Sequence, residues 1–485
     1  LELREGAVQL STYALMHKIN PYTIENNPVY INSFGVLYNA VILPFAFIFG
    51  NTLQLHRFLN AIFIIGQLTL MTIILRRQRT NWFVIAMVLL FMWIGQLFIA
   101  GPTARPDTLG ELLFLSTLFI PVLNNFSKSS LIISGILGLL SFHTKIYFFL
   151  GPIIVSIYLF LFISKQKSLR YMLWVGGLLI SSFLILNHFL ETYFVNNIFP
   201  LFSYRFTSNY AHLIKQLIKF FRDYWSLLII SLGIFISISD KNQIPKLKIR
   251  TDIKHLKKPL FNIEFDFLLF CLVITSLMVF FLFGKHSGTY QTYFYHLITP
   301  FLTMSSLSLI DKYDRHKKGL IIIVVINLIL HSYENLKPDF LNFDSPDWVK
   351  LNNYVMNSKE ILNSPLDVSF LIEQEKPVAI SGFTQYFFIY PKEPFFLMKE
   401  PQKLKDEASK YIKNIAGKIE NKNYDFLETF QNEDYDLFLI GDKLNYPESD
   451  LNFISKYYHL VDFLYIPMPH SFEFWKMGIW KPISP

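Results

Sequence analysis

Charged residues interrupt the apolar sequence at a few places, where a membrane protein rarely carries charge without a function. Arg105 and Asp107 stand in the segment GPTARPDTLGE (101–111), and Lys145 follows His143 in the segment HTK. A carboxylate can accept a proton from a hydroxyl group. Arg and Lys can stabilise negative charge, including that of a phosphate. These residue types could therefore support chemistry at a hydroxyl group, provided that the chain brings them together.

Each of these residues also fits a purely structural role. Asp107 is favoured by the positive end of a helix dipole and could pair with Arg105. Lys145 could extend to the membrane interface, and His143 is more typical of an interfacial hydrogen-bonding residue than of a metal ligand. Glu111, one helical turn after Asp107, is more typical of a snorkelling or helix-paired acid than of a catalyst.

A second acidic site lies near the start of the chain. Glu5, with Glu2 close by, stands at the beginning of a weakly amphipathic helix that is predicted over about 6–18. Acidic residues at a helix N-terminus are also favoured by the helix dipole alone. Whether Glu5 can act together with Asp107 depends on the side of the membrane on which each residue lies.

The composition is that of a membrane protein. Of the 485 residues, 52% are hydrophobic, 17% aromatic and only 16% charged, whereas soluble proteins average about 25% charged residues. The net charge of +8 favours anionic headgroups or phosphates as partners, and no basic patch interleaved with aromatic residues indicates nucleic-acid binding. The single cysteine, Cys271, cannot form an internal disulfide.

Ten apolar runs are predicted to span the membrane, since each can contribute to crossing about 30 Å of hydrocarbon. They cover 53–75, 82–101, 107–124, 128–143, 146–164, 171–191, 226–240, 265–284, 295–310 and 319–333. A further run, 34–50, contains Gly35 and Pro44 and is predicted to lie at the membrane surface or to re-enter it. Because the chain begins at Leu1, we expect that a first span precedes it in the full protein.

Basic residues predict the orientation of the spans. Cytoplasmic loops of membrane proteins are enriched in Lys and Arg. Eighteen Lys and Arg residues fall in the loops on one side of the predicted spans, which are 76–81, 125–128, 164–170, 240–264 and 311–318. This side is therefore predicted to be cytoplasmic. The segments that carry Glu5, Asp107 and Lys145 then share the extracytoplasmic side.

Two larger segments are predicted on the same outer side. The long outer loop, 191–225, could cover a lipid substrate. Its last part, AHLIKQLIKFFRDYW, is predicted to form a basic amphipathic helix that lies on the membrane lipids. The tail after residue 334 is predicted to form a small α/β domain without nucleotide-binding or metal-binding motifs. Its predicted elements are strands at 376–381, 436–441 and 472–482 and a helix at 400–420.

The order of these motifs resembles that of membrane glycosyltransferases with the C-type (GT-C) fold, in particular protein mannosyltransferases and aminoarabinose transferases (families 39 and 83). Their first outer loop is matched by Glu5-Gly6, Pro21-Tyr22, Tyr30 to Tyr38, Phe49-Gly50 and Arg57. Later motifs are matched by Arg105-Pro106-Asp107, His143-Thr144-Lys145, and the stretch with Tyr290, Tyr293, Tyr295 and Pro300. The resemblance covers about residues 1–310. It departs from the family at Arg4, which replaces an aspartate and leaves both Glu2 and Glu5 open as the acid.

The resemblance implies a mostly α, polytopic GT-C-like helical bundle over 1–333, in which 1–52 form the first outer loop, followed by an extracytoplasmic α/β domain over 334–485. It also implies transfer of a sugar, with inversion, from a polyprenyl-phosphate donor to an acceptor hydroxyl. The acceptor could belong to a lipid, a glycan or a protein. We expect the protein in a bacterial inner membrane, with the site facing outward.

The resemblance also implies roles for the site residues. Glu5 is expected to be the base. Asp107 is expected to be a second acid that orients the acceptor, holds the partners of Glu5 or, with Glu5, binds a divalent cation. Arg105 and Lys145 are expected to bind the phosphate. The remaining candidate substrate-binding residues are Arg57, His143 and Tyr293.

Two other classes of function stay open from the sequence. A lipid-sugar transporter would be expected to place ionisable groups near the bilayer midplane, often within internal repeats, and the predicted spans carry almost none at that depth. A non-catalytic membrane anchor that presents the tail as a binding domain would leave Glu5 and Asp107 far apart. The separation of these two acids therefore distinguishes an enzyme from an anchor.

Overall fold

The computed structural model describes fourteen parts of the chain, namely residues 3–23, 26, 34–96, 104–190, 210–240, 263–283, 292–312, 317–335, 346–359, 361–362, 368–375, 437–441, 455–467 and 474–483. Several predictions fall outside the described residues. They are the strand at 376–381, the helix at 400–420, most of the loop 191–225, and the residues Glu2, Tyr30 and Tyr290.

Thirteen helices are described from the start of the chain to residue 335. They are α1 (Leu3–Met16), α2 (Val36–Phe49), α3 (Leu53–Arg77), α4 (Trp82–Gly95), α5 (Asp107–Leu123), α6 (Lys128–Phe142), α7 (Leu150–Tyr158), α8 (Lys165–Phe189), α9 (Tyr210–Asp240), α10 (Ile263–Met278), α11 (Thr292–Leu297), α12 (Thr299–Lys312) and α13 (Lys317–Asn335). A 3-10 turn, Ile146–Phe149, leads into α7. Each of the ten predicted spans coincides with helical residues.

The bundle has the surface of a membrane protein. Three helical segments of the described residues are long and apolar enough to cross a membrane, namely Leu53–Arg77, Ile146–Ile163 and Lys165–Phe189. Large apolar side chains stay exposed along them, as at Phe58 (64%), Leu173 (68%) and Phe189 (72%). Such exposure disfavours a watery environment and suits contact with lipid tails. The fold is therefore mostly α and polytopic, as predicted.

The core is filled by aromatic and aliphatic side chains from α3 to α13. Phe114 of α5 is fully buried there, with its ring centroid 6.1 Å from that of Phe301 in α12 and 5.9 Å from that of Phe148. The first contact is edge-to-face, a favourable arrangement for aromatic rings. This packing fixes α5, whose first residue is Asp107, against the 3-10 turn and α12.

The loops divide between the two ends of the bundle. At one end, the Asn81 backbone N–H donates to Asp311 Oδ2 at 2.7 Å, and Lys167 Nζ donates to the Phe126 carbonyl at 3.3 Å. The first contact joins the loop after α3 to the end of α12, and the second joins the start of α8 to the loop after α5. They belong to the loops that were predicted to share the basic side. The segments that carry the acids meet at the opposite end.

Helix α2 is shorter than a membrane span. Its 14 residues contain Pro44 and end at Gly50, which has a φ of 81°. A helix of that length rises only about 21 Å, compared with about 30 Å of hydrocarbon. The structure thus agrees in length with the predicted surface or re-entrant helix at 34–50.

The start of α2 is fixed to the turn that carries Lys145. The Gly35 N–H donates to the Thr144 carbonyl at 3.2 Å, and the Leu37 N–H donates to the His143 carbonyl at 3.0 Å. A Cβ atom at Gly35 would overlap the backbone carbonyl of His143. Only glycine lets the two backbones approach so closely.

We predict that Gly35→Ala lowers the thermal midpoint of the detergent-solubilised protein by several degrees, because backbone must move to admit the methyl group. Gly176→Ala in α8 is the matched control, since a Cβ there meets nothing within 4 Å. Thermal unfolding of both variants measures the difference. Equal midpoints for the two variants would contradict the close approach at Gly35.

The C-terminal part of the chain contains a small sheet. Its described elements are α14 (Pro346–Met356), β1 (Ile361–Leu362), α15 (Val368–Glu373), β2 (Leu437–Gly441), β3 (Tyr458–Pro467) and β4 (Phe474–Pro482). The strand order is β1-β2-β4-β3, with β1 parallel to β2 and the other pairs antiparallel. The strands predicted at 436–441 and 472–482 are confirmed, whereas β3 was not predicted.

Candidate active site

Asp107 lies at the centre of a buried charged cluster, hereafter the Asp107 cluster, which comprises Arg105, Asp107, Lys145 and Tyr147. Asp107 Oδ1 accepts hydrogen bonds from Lys145 Nζ at 2.7 Å and from the Tyr147 hydroxyl at 2.9 Å. Its Oδ2 lies 3.1 Å from Arg105 Nε. Arg105, Asp107 and Tyr147 are buried, and the Lys145 side chain is 10% exposed. Two cations thus converge on one carboxylate.

Three short segments place these side chains. Pro106 precedes α5, and Asp107 is its first residue, near the positive end of the helix dipole. Lys145 follows the turn after α6, and Tyr147 lies in the 3-10 turn that comes next. Gly110 of α5 packs against the ring of Phe148, which brings the 3-10 turn close to the first turn of α5.

Glu5 is attached to the same loop from α1. Its carboxylate accepts from Arg57 Nε at 3.0 Å and from Arg57 Nη2 at 2.7 Å, and its Oε1 also accepts from the Ala104 N–H at 2.7 Å. The Glu5 side chain is 1% exposed, whereas that of Arg57 is 42% exposed. Ala104 precedes Asp107 by three residues, so their Cα atoms lie at most about 11 Å apart. The two acids therefore lie at the same end of the bundle.

Glu5 is ionised at neutral pH. Burial alone would raise the pKa of its carboxyl group, because desolvation disfavours the charged form. The hydrogen bonds and positive charge of Arg57, together with the Ala104 N–H, outweigh burial and hold the pKa of Glu5 below its ordinary value. A proton acceptor must be ionised before it can act, although a lower pKa also makes it a weaker base.

A second buried pair, Glu111 and His296, lies behind Asp107. Glu111 Oε2 is 2.6 Å from His296 Nδ1 and accepts from Gln96 Nε2 at 2.6 Å. Both side chains of the pair have 0% exposure. His296 Nε2 lies 3.8 Å from Asp107 Oδ1. Glu111 does not snorkel to the membrane interface, because its buried carboxylate pairs with His296 of α11.

We predict that Glu111→Leu destabilises the protein more than Glu111→Gln. Leucine would leave the buried donors His296 Nδ1 and Gln96 Nε2 without this acceptor, at a cost of about 1–3 kcal/mol for each group. Glutamine retains an acceptor oxygen at nearly the same place. The thermal midpoints of the two variants test this, and a leucine variant as stable as the glutamine variant would contradict the assigned contacts.

Of two other predicted site residues, Tyr293 lies beside the Asp107 cluster and His143 contacts α8. The Tyr293 ring lies 4.6 Å from the Tyr147 ring, and Lys145 Nζ is 5.6 Å from its centroid, so Tyr293 belongs to the cluster's surroundings. His143 Nε2 instead lies 2.9 Å from the Ser182 hydroxyl of α8. The His143 side chain therefore contacts α8, while its backbone helps to hold α2.

No metal site is evident in the part of the chain that the structure describes, where no three His, Cys, Asp or Glu side chains are placed to hold an ion. Asp107 and Glu111 are separated by one helical turn, and their nearest partners are cations and a histidine. The arrangement suits anion binding and proton transfer.

The likeness of this polytopic helical bundle to a solved structure confirms the GT-C glycosyltransferase-like fold inferred from the sequence motifs. The chain matches no protein-family model and no curated protein. It is similar to one solved structure in particular, ArnT from Cupriavidus metallidurans bound to undecaprenyl phosphate. That similarity covers 99% of this chain and 94% of ArnT, with a TM-score of 0.57 and 10% sequence identity.

Proposed function

We propose that the protein transfers a sugar from a polyprenyl-phosphate donor to an acceptor hydroxyl at the extracytoplasmic face of a membrane. The observation that carries the proposal is the convergence of Arg105, Lys145 and Asp107 in one buried cluster, within three residues of a contact to Glu5. The fold, shared with a protein that was crystallised with undecaprenyl phosphate, supports a lipid-phosphate donor.

The proposed reaction is a direct displacement. The acceptor oxygen attacks the anomeric carbon on the face opposite the phosphate, so the configuration inverts. The bond from that carbon to the phosphate oxygen breaks, and its electron pair stays on the phosphate. Arg105 and Lys145 stabilise this growing negative charge, an effect commonly worth 100-fold or more per donor, or about 3 kcal/mol. The hydroxyl proton passes to a carboxylate.

Glu5 is the proposed proton acceptor. It is ionised, and its contact with the Ala104 N–H holds it beside the loop that carries Arg105. Asp107 is proposed to keep Lys145 and Arg105 in place before the donor arrives and to orient the acceptor. When a phosphate binds, the two cations can turn toward it without leaving the reach of Asp107.

Aromatic rings beside Lys145 provide a proposed sugar platform. The rings of Phe34, Tyr147 and Tyr293 lie 5.1, 5.3 and 5.6 Å from Lys145 Nζ. Sugar rings pack well on aromatic faces because their C–H bonds form an apolar surface. A sugar whose phosphate contacts Lys145 would lie against Tyr293.

The extracytoplasmic orientation is proposed from charge. The loops at the opposite end carry most of the eighteen basic residues assigned to the cytoplasmic side. An inner membrane of a bacterium is the proposed location, with the C-terminal sheet on the outer side. The acceptor is proposed to be a lipid, glycan or protein hydroxyl.

The geometry favours an enzyme over the two alternatives. Asp107 and Glu111 are the first and fifth residues of α5, so Glu111 lies only about 6 Å further along the helix axis. A transporter would place such groups near the middle of the membrane. The contact of Glu5 with Ala104 also contradicts the wide separation expected of a mere anchor.

Mass spectrometry of lipid-linked sugars and surface glycans, with and without the protein, tests this function. Loss of the protein should make a polyprenyl-phosphate sugar accumulate and one glycan lose that sugar. Purified protein in lipid vesicles should then transfer the sugar from the accumulated donor. No accumulation in cells, together with no transfer in vesicles, would overturn the proposal.

A further inference from the structure

The short helix α11 carries two side chains to the Asp107 cluster. Tyr293 packs on Tyr147, and His296 lies between Asp107 and Glu111. A helix of six residues has little stability of its own. Contacts from neighbouring elements must therefore fix its position.

One such contact joins α11 to α9. The Tyr295 hydroxyl donates to Asp223 Oδ2 at 2.7 Å, and both residues are buried, with exposures of 2% and 4%. A hydrogen bond to a carboxylate is stronger than one between neutral groups. Because Tyr295 lies between Phe294 and His296 in the chain, this bond limits how far α11 can move from the cluster.

Asp223 is itself held at a kink. Tyr224 interrupts α9 with a φ of −123° and a ψ of 20°. Asn327 Nδ2 of α13 donates to the Asp223 carbonyl at 3.2 Å, and the Ser226 hydroxyl donates to Asn327 Oδ1 at 2.6 Å. The backbone at the kink is thus fixed to α13 while the Asp223 carboxylate reaches α11.

The same carboxylate contacts the outer half of α9, Tyr210–Arg222, hereafter the surface half. Arg222 Nε donates to Asp223 Oδ1 at 3.1 Å. Within the surface half, Ile214 is 55% and Ile218 64% exposed, and Lys215 and Lys219 follow them in sequence. An exposed apolar stripe beside basic residues is typical of a helix at a lipid surface.

We propose that Asp223 and Tyr295 are positioning residues that latch the surface half of α9 to the active site. Their bond holds α11 so that Tyr293 stays against Tyr147 and His296 stays beside Asp107. The expected effect of this latch on sugar transfer rests on the proposed function. Its structural effect, the ordering of α11, is independent of that function.

Tyr295→Phe removes the hydroxyl and keeps the ring, so it tests the latch with little change in packing. Tyr171→Phe is the matched control, because Tyr171 is also buried and its hydroxyl lies 2.9 Å from the Ser134 hydroxyl, in another part of the bundle. We expect Tyr295→Phe to lower kcat about tenfold, as small misplacements in a site do. The KM for a polyprenyl-phosphate sugar should change little, and Tyr171→Phe should leave both constants unchanged.

Hydrogen–deuterium exchange of residues 292–297 in the full-length protein tests the latch without an activity assay. Faster exchange in Tyr295→Phe and Asp223→Asn, but not in Tyr171→Phe, is the expected result. Unchanged exchange would overturn the latch whether or not sugar transfer is detected. Faster exchange with an unchanged kcat in an active protein would overturn the positioning role. Absence of transfer in the wild-type protein would count against the proposed function alone.

Discussion

Asp107→Asn should reduce sugar transfer by about 100-fold or more. The amide keeps the shape and an acceptor oxygen, but it removes the charge that both Arg105 and Lys145 contact. Without that charge the cations lose the partner that holds them for the phosphate. The loss should fall mainly on kcat, because the cations themselves remain able to bind an anion in the ground state.

The stability of the Asp107→Asn protein must be measured alongside its activity. Removing one partner of a buried ion pair can cost about 3–5 kcal/mol, although the amide reduces that cost by accepting from Lys145 and Tyr147. Asp311→Asn is the matched control, since Asp311 accepts from the Asn81 N–H at the opposite end of the bundle. An Asp107→Asn protein that is folded and transfers sugar at the wild-type rate would refute the assignment of the site.

The helices could be predicted well because the length of an apolar run is a property of the local sequence. Each predicted span overlaps helical residues, and the amphipathic segment at 211–225 forms part of α9. Strand β3 was missed because its sequence, YHLVDFLYIP, carries an acid at Asp462, beside which the pairing with β4 shifts register. The strand depends on that pairing, which the local pattern does not contain.

The site was predictable only in part. Arg105, Asp107 and Lys145 could be identified because charges stand out at the ends of apolar runs, and the alternation of spans places them on one side. The Glu111–His296 pair joins residues 185 positions apart, and nothing local distinguishes a buried acid on α5 from one that faces the interface. The spacing of Asp107 and Glu111, one turn apart on one face, was the available signal.

The pairing of Glu5 with Arg57 is a second contact that the sequence did not predict. Both residues were candidates, one as a base and the other as a substrate-binding residue. Their two-point hydrogen bond depends on how α1 packs beside α3, and it changes what each residue can do. Arg57 lowers the pKa of Glu5 and shares its carboxylate with the Ala104 N–H.

Glu5→Gln should reduce sugar transfer by about 100-fold to 10,000-fold if Glu5 is the base. The amide cannot accept the hydroxyl proton, although it can still accept a hydrogen bond from Ala104. Arg57→Gln separates this role from anchoring, because it removes the cation and leaves the carboxylate. Arg57→Gln should reduce sugar transfer much less than Glu5→Gln does. If the two variants reduce transfer equally, Glu5 only anchors Arg57.

The pH profile of Arg57→Gln provides the decisive comparison. A base is lost when it is protonated, so transfer falls as the pH drops through the pKa of Glu5. Arg57 holds that pKa below its ordinary value in the wild-type protein. Without Arg57 the pKa of the buried carboxyl group should rise, and the acidic limb of the kcat/KM profile should move to higher pH. An unmoved acidic limb would assign proton transfer to a group other than Glu5, and Asp107 would then be the carboxylate to test.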